Sequence, residues 1–370
     1  MPRGVGGMIV TVMLVMSIRL HRRSALTTRN GASMATTTTR SLPVLGRPDG
    51  TDRLPADRLQ GILPDVERAI VEPIIADIER LKVERDAIVL AHNYMTPDIF
   101  HGVADLAGDS LQLARMAAET DASVIVMAGV HFMAETAKVL SPDRTVLIPD
   151  ERAGCSLAES ITPADIDRLR AAHPGAPVVT YVNTSAAVKA ASDITCTSSN
   201  AVEVVRSLGV DKVLFVPDRY LGAWVASQVP DIEVVTYDGA CEVHERFTGT
   251  EVAELRTQYA GITILAHPEC PPDVLAEADV VGSTKLMNDW VRDHQPERVA
   301  MITECSMADN VALEAPDTDF VRPCNMCPHM KRITLQNIRT SLETMTHAVE
   351  VPTDVAAGAR RAVEAMLAVR

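Results

Sequence analysis

A threefold internal repeat is the feature that most constrains what this chain can fold into. Three different landmarks recur in one order, and successive copies of each lie 85 to 89 residues apart. Three landmarks that keep one order and nearly one period predict three copies of a single structural unit. They are the polar strand ends His92, Tyr181 and His267, the serines Ser110, Ser198 and Ser283, and the cysteines Cys155, Cys241 and Cys327.

Each copy contains strand-like and helix-like segments in alternation. The first strand of each copy is predicted at 87–94, 176–183 and 261–269. After the intervening helical stretch a second strand is predicted at 123–129, 212–218 and 298–304. These strands are continuous apolar runs, which is typical of parallel strands buried on both faces. The sequence therefore predicts an α/β fold of three pseudo-threefold-related α/β/α repeats, with short parallel sheets around a central cavity.

The repeat also predicts the organisation of the chain. The apolar run at 8–18 is too short to span a bilayer, and a charged segment follows it. Met34 is a plausible alternative start of the chain. We expect a cytoplasmic protein without membrane contact. The predicted segments are a disordered or mis-assigned extension at 1–50, a helical lead-in and first repeat at 51–172, a second repeat at 173–258, a third at 259–345 and a C-terminal helix at 346–370.

Net charge limits the partners of this protein. The chain has 35 Lys and Arg against 49 Asp and Glu, a formal net charge of −14. Such a balance opposes nucleic-acid binding, which depends on positive surface. It also repels anionic substrates at long range, so an anionic substrate would have to be held by local donors.

The periodic cysteines indicate a metal centre. Seven cysteines are too few for a secreted disulfide scaffold and suit a reducing compartment, where thiols are buried, reactive or metal-bound. Any single cysteine is more often simply buried, but the period predicts that Cys155, Cys241 and Cys327 converge. Convergent thiolates select zinc, copper(I) or an iron–sulfur cluster. Cys324 forms a CxxC pair with Cys327, and the other cysteines fall outside this register.

The other two landmarks suggest how a small molecule could be bound. Serines that open helices usually serve as N-caps, but helix N-termini also bind anions. Glu269, two residues after His267, is a candidate general base if burial raises its pKa. His244 follows Cys241 by three residues and could reach the same place. We expect the polar strand-end residues to face one cavity: His92, Tyr94, Tyr181, Asn183, His267 and Glu269.

Residues 60–345 resemble the quinolinate synthase family. Among the long and specific segments that carry the resemblance are AHNY, GDSLQLA, GVHFMAETAKVLSP, GCSLAES, YVNTSAAVKAASDITCTSSNAVEVV, PDRYLGAWVA, CEVHERFT, AHPEC, VGSTKLM, TECSMADN and CNMCPHM. The resemblance implies one [4Fe–4S] cluster per chain on Cys155, Cys241 and Cys327, with one iron left open to act as a Lewis acid. It implies a transferase of de novo NAD biosynthesis that condenses iminoaspartate with dihydroxyacetone phosphate to quinolinate, phosphate and two waters. A functional pairing with an aspartate oxidase or dehydrogenase is expected as the source of iminoaspartate.

The resemblance also implies roles for individual residues. Glu269, Tyr94 and His92 are the candidates for proton transfer. Some family members carry CxxCxxC before the last ligand, whereas this chain has only Cys324 and Cys327, so redox control by the longer motif does not carry over. The residues implied to contact substrate are His92, Ser110, Met133, Tyr181, Asn183, Ser198, His244, His267, Glu269, Ser283 and Thr284.

Two readings from other classes stay open at the level of sequence. The first is a hydrolase with zinc on the three thiolates, which would be colourless and inert to oxygen. The second is a non-enzymatic iron–sulfur sensor that binds a small acid, which would leave His267 and Glu269 without a role.

Overall fold

Three parallel four-stranded sheets organise residues 59–369, the part of the chain that the structure, a computed structural model, describes. In each sheet the first and third strands in chain order lie in the middle, with the second and fourth at the edges. The first sheet contains β1 (Ala87–His92), β2 (Leu106–Gly108), β3 (Val124–Ala128) and β4 (Thr145–Leu147). The second contains β5 (Val178–Tyr181), β6 (Ile194–Cys196), β7 (Lys212–Val216) and β8 (Glu233–Thr236). The third contains β9 (Thr263–Ala266), β10 (Val280–Val281), β11 (Arg298–Ile302) and β12 (Asp319–Val321).

The middle strands account for the apolar runs of the sequence. All five residues of β3 are buried, and β1 pairs with it in parallel from Ala87 opposite Val124 to Ala91 opposite Ala128. A strand buried on both faces needs apolar residues at consecutive positions rather than at alternate ones. The predicted α/β fold of three sheet-containing repeats is thus confirmed.

Helices flank the sheets and supply the remaining layers. Those in the first third of the chain are α1 (Asp65–Arg85), α2 (Pro97–Phe100), α3 (Ser110–Glu119), α4 (His131–Leu140), α5 (Ser156–Glu159) and α6 (Pro163–Ala172). Those in the middle are α7 (Ala186–Ala191), α8 (Ala201–Ser207), α9 (Arg219–Gln228), α10 (Gly249–Gln258) and α11 (Pro272–Ala276). The last are α12 (Thr284–His294), α13 (Ser306–Val311), α14 (Leu335–Thr344) and α15 (Thr353–Ala368).

One helix of each of the first two repeats packs on the sheet of the next repeat along the chain. Ile166 of α6 is buried with residues of the second sheet, and Val252 of α10 is buried with residues of the third. Helix α14 closes the cycle, because it packs against α1 beside the first sheet. This exchange ties the repeats to one another. The repeat boundaries after 172 and 258 stay a prediction, and the extension at 1–50 lies outside the described residues.

The second strand of each sheet differs from the prediction. The short edge strands β2, β6 and β10 lie within the stretches that the sequence predicts as helical, because runs of two or three residues are too short to produce a strand pattern. Helix α15 packs against α7, β6 and α4, and so joins the first two repeats.

Among the described residues no helix combines the length and the apolar character that crossing a membrane requires.

Candidate active site

One cavity collects the polar residues at the carboxyl ends of the strands. The space between its lining atoms, open solvent at its mouth included, is about 710 Å³. Three repeats contribute to it, as expected when equivalent loops meet near a pseudo-threefold axis. The residues singled out by the sequence that line it are His92, Tyr94, Ser110, Met133, Cys155, Tyr181, Asn183, Ser198, Cys241, His244, His267, Glu269, Thr284 and Cys327.

The three serine landmarks have different local roles. Ser283 does not line this cavity: its hydroxyl accepts from the backbone N–H of Leu286 and caps α12. In the first repeat Asp109 caps α3, which leaves Ser110 free to face the cavity. Ser198 is not a cap, because Asn200 precedes α8, and the Ser198 hydroxyl lies 3.1 Å from His267 Nε2. The capping role thus holds at Ser283 but not at Ser198.

Glu269 is the electrostatic centre of the cavity. Its Oε1 accepts a short hydrogen bond from the Tyr181 hydroxyl, and its Oε2 lies 2.9 Å from His244 Nδ1. Burial works to raise the pKa of Glu269, but His244 and His267 beside it outweigh burial and lower the pKa to about 2. The condition under which the sequence made Glu269 a candidate general base, a pKa raised by burial, is therefore not met in this structure. The carboxylate is ionised; it accepts from Tyr181 and lies beside His244, both of the second repeat.

A chain of polar contacts links Tyr94 to Glu269. The Tyr94 hydroxyl lies 2.7 Å from Thr303 Oγ1, which lies 2.9 Å from His244 Nε2. The opposite nitrogen of the His244 ring faces Glu269. Burial raises the pKa of Tyr94 well above its usual value, so this phenol keeps its proton. The chain crosses all three repeats and joins two candidate proton-transfer residues.

Burial keeps two histidines of the cavity neutral. It lowers the pKa of His92 to about 3 despite the opposing charge of Glu269. It lowers the pKa of His267 to about 3 in the same way. Neutral imidazoles have both a donor and an acceptor nitrogen, so each ring can bind an oxygen of a small molecule in either direction.

The three cysteines suit a group larger than a single ion. All three lie free in the same cavity, and burial raises their pKa values, to about 12 for Cys155. Thiolates there therefore require a cationic centre. A tetrahedral zinc ion with zinc–sulfur distances of about 2.3 Å holds its thiolates about 3.8 Å apart, and among residues 59–369 the three sulfurs do not form a group within 4.8 Å of one another.

Side chains next to the cysteines join the three loops. The Ser156 hydroxyl accepts from the backbone N–H of Glu242, 3.1 Å away, and Glu242 Oε1 lies 3.0 Å from His329 Nε2. These residues follow Cys155, Cys241 and Cys327 by one, one and two positions. The contacts hold the three cysteine loops against one another.

The sequence analysis did not identify Glu304, a buried acid that lines the cavity. Its Oε1 lies 2.8 Å from Lys331 Nζ and accepts from the backbone N–H of Cys327 at 3.2 Å. Lys331 also donates to the carbonyl of Tyr94 at 2.8 Å. The signal was present: Glu304 follows β11 at the position that Asp218 occupies after β7, 86 residues earlier.

A disulfide contradicts the expectation that the cysteines outside the metal triple stay reduced. Cys305 and Cys324 are bonded, with Cα atoms 4.9 Å apart and 19 residues between them in sequence. The CxxC spacing had associated Cys324 with Cys327. The fold instead brings the end of β11 beside the loop that holds Cys327, and spacing along the chain could not reveal that.

These features define an α/β enzyme that acts on a small molecule in a cavity among three repeats, with three convergent cysteines suited to a metal cluster. The family model described as "Quinolinate synthetase A protein" matches residues 76–368. Quinolinate synthase 1 of Mesorhizobium japonicum is 59% identical over 311 residues, covering 84% of this chain and 96% of that protein. Quinolinate synthases of Xylella fastidiosa (61% over 295 residues; 80% and 87% covered) and Agrobacterium fabrum (60% over 311; 84% and 90%) are similar. The chain belongs to the quinolinate synthetase A family.

Proposed function

We propose that this enzyme is a quinolinate synthase, which condenses iminoaspartate with dihydroxyacetone phosphate in de novo NAD biosynthesis. Its products are quinolinate, one phosphate and two waters, and the two substrates together contain every atom and electron that the products need. The observation that carries the proposal is the convergence, in one cavity, of three free cysteines with Glu269 and the histidines around it. Membership of the family supports the same reaction.

The residues that would hold the cluster are Cys155, Cys241 and Cys327. A [4Fe–4S] cluster with three cysteine ligands supplies, when bound, an iron with an open position that acts as a Lewis acid toward a substrate oxygen. The separation of the three sulfurs supports a cluster over the single zinc ion of the hydrolase reading. Glu269 and two neutral histidines at the same cavity argue against a sensor that carries out no chemistry.

Hydroxyls and helix N-termini would hold the anionic parts of the substrates. Ser110 and Thr284 face the cavity at the first positions of α3 and α12, where unpaired backbone N–H groups favour a phosphate or a carboxylate. Ser198 offers a third hydroxyl from the second repeat. Such local donors would offset the repulsion from a net charge of −14.

The contacts between Tyr94 and Glu269 would carry protons during isomerisation and dehydration. Tyr94 has a protonated hydroxyl at the cavity, and Thr303 and His244 connect it with the ionised Glu269. Each proton released at substrate carbon could therefore return to a departing oxygen without passing through bulk water. His92 packs edge-on against the Tyr94 ring and would orient it.

The chemistry of one substrate sets a requirement on the cell. Iminoaspartate is a two-electron oxidation product of aspartate, and the proposed condensation consumes it without forming it. We therefore expect functional pairing with a separate aspartate oxidase or dehydrogenase.

The first test is anaerobic purification followed by a visible spectrum, iron and sulfide analysis and a quinolinate assay. We expect about four irons and four sulfides per chain and quinolinate formation from the two substrates. Cys155→Ala, Cys241→Ala and Cys327→Ala should each lose both the cluster and activity. Cys270→Ala is the matched control, because Cys270 is buried outside the cavity and should keep both. A chain that carries one zinc on all three thiolates and takes up no iron, or loss of the cluster from Cys270→Ala alone, would contradict the proposal.

A further inference from the structure

Three donor atoms of different chemistry lie close together at Cys241, one of the three periodic cysteines. The Cys241 sulfur, a ring nitrogen of His244 and a carboxylate oxygen of Glu269 all lie within 4.8 Å of one another, and among residues 59–369 they are the one such group. Cys241 and His244 come from the loop after β8, and Glu269 comes from the loop after β9. Donor atoms of a tetrahedral zinc ion lie about 3.3–3.8 Å apart, so small side-chain rotations would bring these three donors onto one ion.

Contacts on the outer side of the group aim two of its donors inward. His244 Nε2 lies 2.9 Å from Thr303 Oγ1, and Glu269 Oε1 accepts from the Tyr181 hydroxyl. These partners leave His244 Nδ1 and Glu269 Oε2 facing each other, 2.9 Å apart. Partners of this kind, bonded to the far atom of each ligand, orient the side chains of protein metal sites.

His244 Nδ1 is also unsatisfied. The side chain is 2% exposed, and this nitrogen has no partner with hydrogen-bond geometry despite its short distance to Glu269. A buried polar atom without a partner costs free energy unless something else binds it. A cation between the imidazole, the carboxylate and the thiolate would satisfy it and would balance their two negative charges.

The donor types select the class of ion. One sulfur, one imidazole nitrogen and one carboxylate oxygen form a set that zinc accepts and that calcium and magnesium, which prefer oxygen ligands, do not. Neighbouring metals of the same series, such as cobalt(II), accept the same ligands. The cavity next to the group leaves room for a water as a fourth ligand.

We propose that the cluster-free protein binds one zinc-class divalent ion through Cys241, His244 and Glu269. The site takes only one of the three periodic cysteines, and so differs from a zinc ion on three thiolates. A further step rests on the proposed function: the ion and the iron–sulfur cluster exclude each other, because both require Cys241. An ion in this place also occupies Glu269 and His244, so the zinc-loaded chain is inactive and blocked from cluster assembly.

The test is a titration of the full-length, cluster-free protein with cobalt(II) under anaerobic conditions. We expect one ion per chain, ligand-field bands typical of four-coordinate cobalt, a thiolate-to-cobalt charge-transfer band and stoichiometric displacement by zinc. Cys241→Ala should abolish the charge-transfer band, and His244→Gln and Glu269→Gln should each weaken binding at least about tenfold. The cluster-loaded protein should take up no cobalt.

Matched cysteine variants separate this site from the alternatives. Cys155→Ala and Cys327→Ala, which remove the other two periodic thiols, should bind cobalt with wild-type affinity, as should Cys270→Ala. If Cys155→Ala or Cys327→Ala weakens binding as strongly as Cys241→Ala, the ion lies on three thiolates and the proposal is overturned. Absence of cobalt binding, or binding unchanged in the cluster-loaded protein, also overturns it. Circular dichroism of each variant identifies any that fail to fold, and His244→Gln and Glu269→Gln then provide independent tests.

Failure of this site and failure of the proposed function give different results. Cobalt binding through the three named residues together with no quinolinate formation by the cluster-loaded protein would retain the site and reject the function. Quinolinate formation without cobalt binding to the cluster-free chain would do the reverse.

Discussion

The buried ion pair between Glu304 and Lys331 yields a quantitative prediction. The Glu304 side chain is fully buried, and its two oxygens accept from Lys331, the backbone N–H of Cys327 and the backbone N–H of Ser306. The substitution Glu304→Gln removes the charge but keeps the shape and one acceptor. It leaves the ammonium group of Lys331 without its counter-charge, a change that costs about 3–5 kcal/mol in fully buried pairs.

The structure places the expected cost below that range. Lys331 is 19% exposed and keeps two other acceptors, the Tyr94 carbonyl at 2.8 Å and the Ser306 hydroxyl at 2.7 Å. We therefore expect Glu304→Gln to lower the free energy of unfolding by about 2–3 kcal/mol, near the value of a hydrogen bond to a charged group. Urea denaturation of the cluster-free, full-length chain measures it through the midpoint.

A surface pair provides the matched control. Arg80 Nη1 lies 2.7 Å from Glu84 Oε1, but both side chains are more than half exposed, so Glu84→Gln should leave the midpoint unchanged. The double variant Glu304→Gln with Lys331→Met should recover part of the loss, because it removes the uncompensated charge as well. If Glu304→Gln denatures at the same urea concentration as Glu84→Gln, the pair contributes no stability and the reasoning is refuted.

Three further substitutions test the cavity. Glu269→Gln should keep the iron–sulfur spectrum but lower turnover at least about 100-fold, since it removes the ionised group of the proton path; full activity would exclude Glu269 from the mechanism. His92 has a folded-state pKa of about 3 against 6.5 for the free side chain, so it contributes stability that is complete above pH 6.5 and is lost as the pH falls toward 3. His92→Gln should flatten that pH dependence of the urea midpoint, and an unchanged slope would contradict the pKa. The Asn93 amide donates to Thr284 Oγ1 at 3.0 Å, so Asn93→Ala should raise KM about fivefold with a smaller effect on kcat, whereas an effect on kcat alone would argue against positioning.

The middle strands were predictable from sequence because a strand buried on both faces needs a continuous run of apolar residues. The middle strands β1, β5 and β9 fall inside the apolar runs predicted for them, and β3, β7 and β11 do likewise. The edge strands β2, β6 and β10 have two or three residues each and are too short to show such a run. The Cys305–Cys324 disulfide leaves no mark in the sequence either, because its partners lie in different loops, one after β11 and one after β12.

The sequence predicts where the site residues lie more readily than whether they are ionised. A polar residue after an apolar strand lies at the carboxyl end of a sheet, and this rule located Glu269. Its protonation depends on Tyr181 and His244, which reach it from the second repeat. Sequence order does not reveal which side chains cross between repeats. The sequence therefore placed Glu269 at the cavity but could not give the direction of its pKa shift.

Positions where the repeats differ are the most informative about chemistry. The residues two positions after the first-strand landmarks are Tyr94, Asn183 and Glu269: a phenol, an amide and a carboxylate. All three face one cavity near the pseudo-threefold axis, so the backbone arrangement is repeated while the chemistry is not. The fold thus supplies three equivalent positions, and divergence at those positions places three different functional groups around one cavity, which allows each group to take a different part in the proposed reaction.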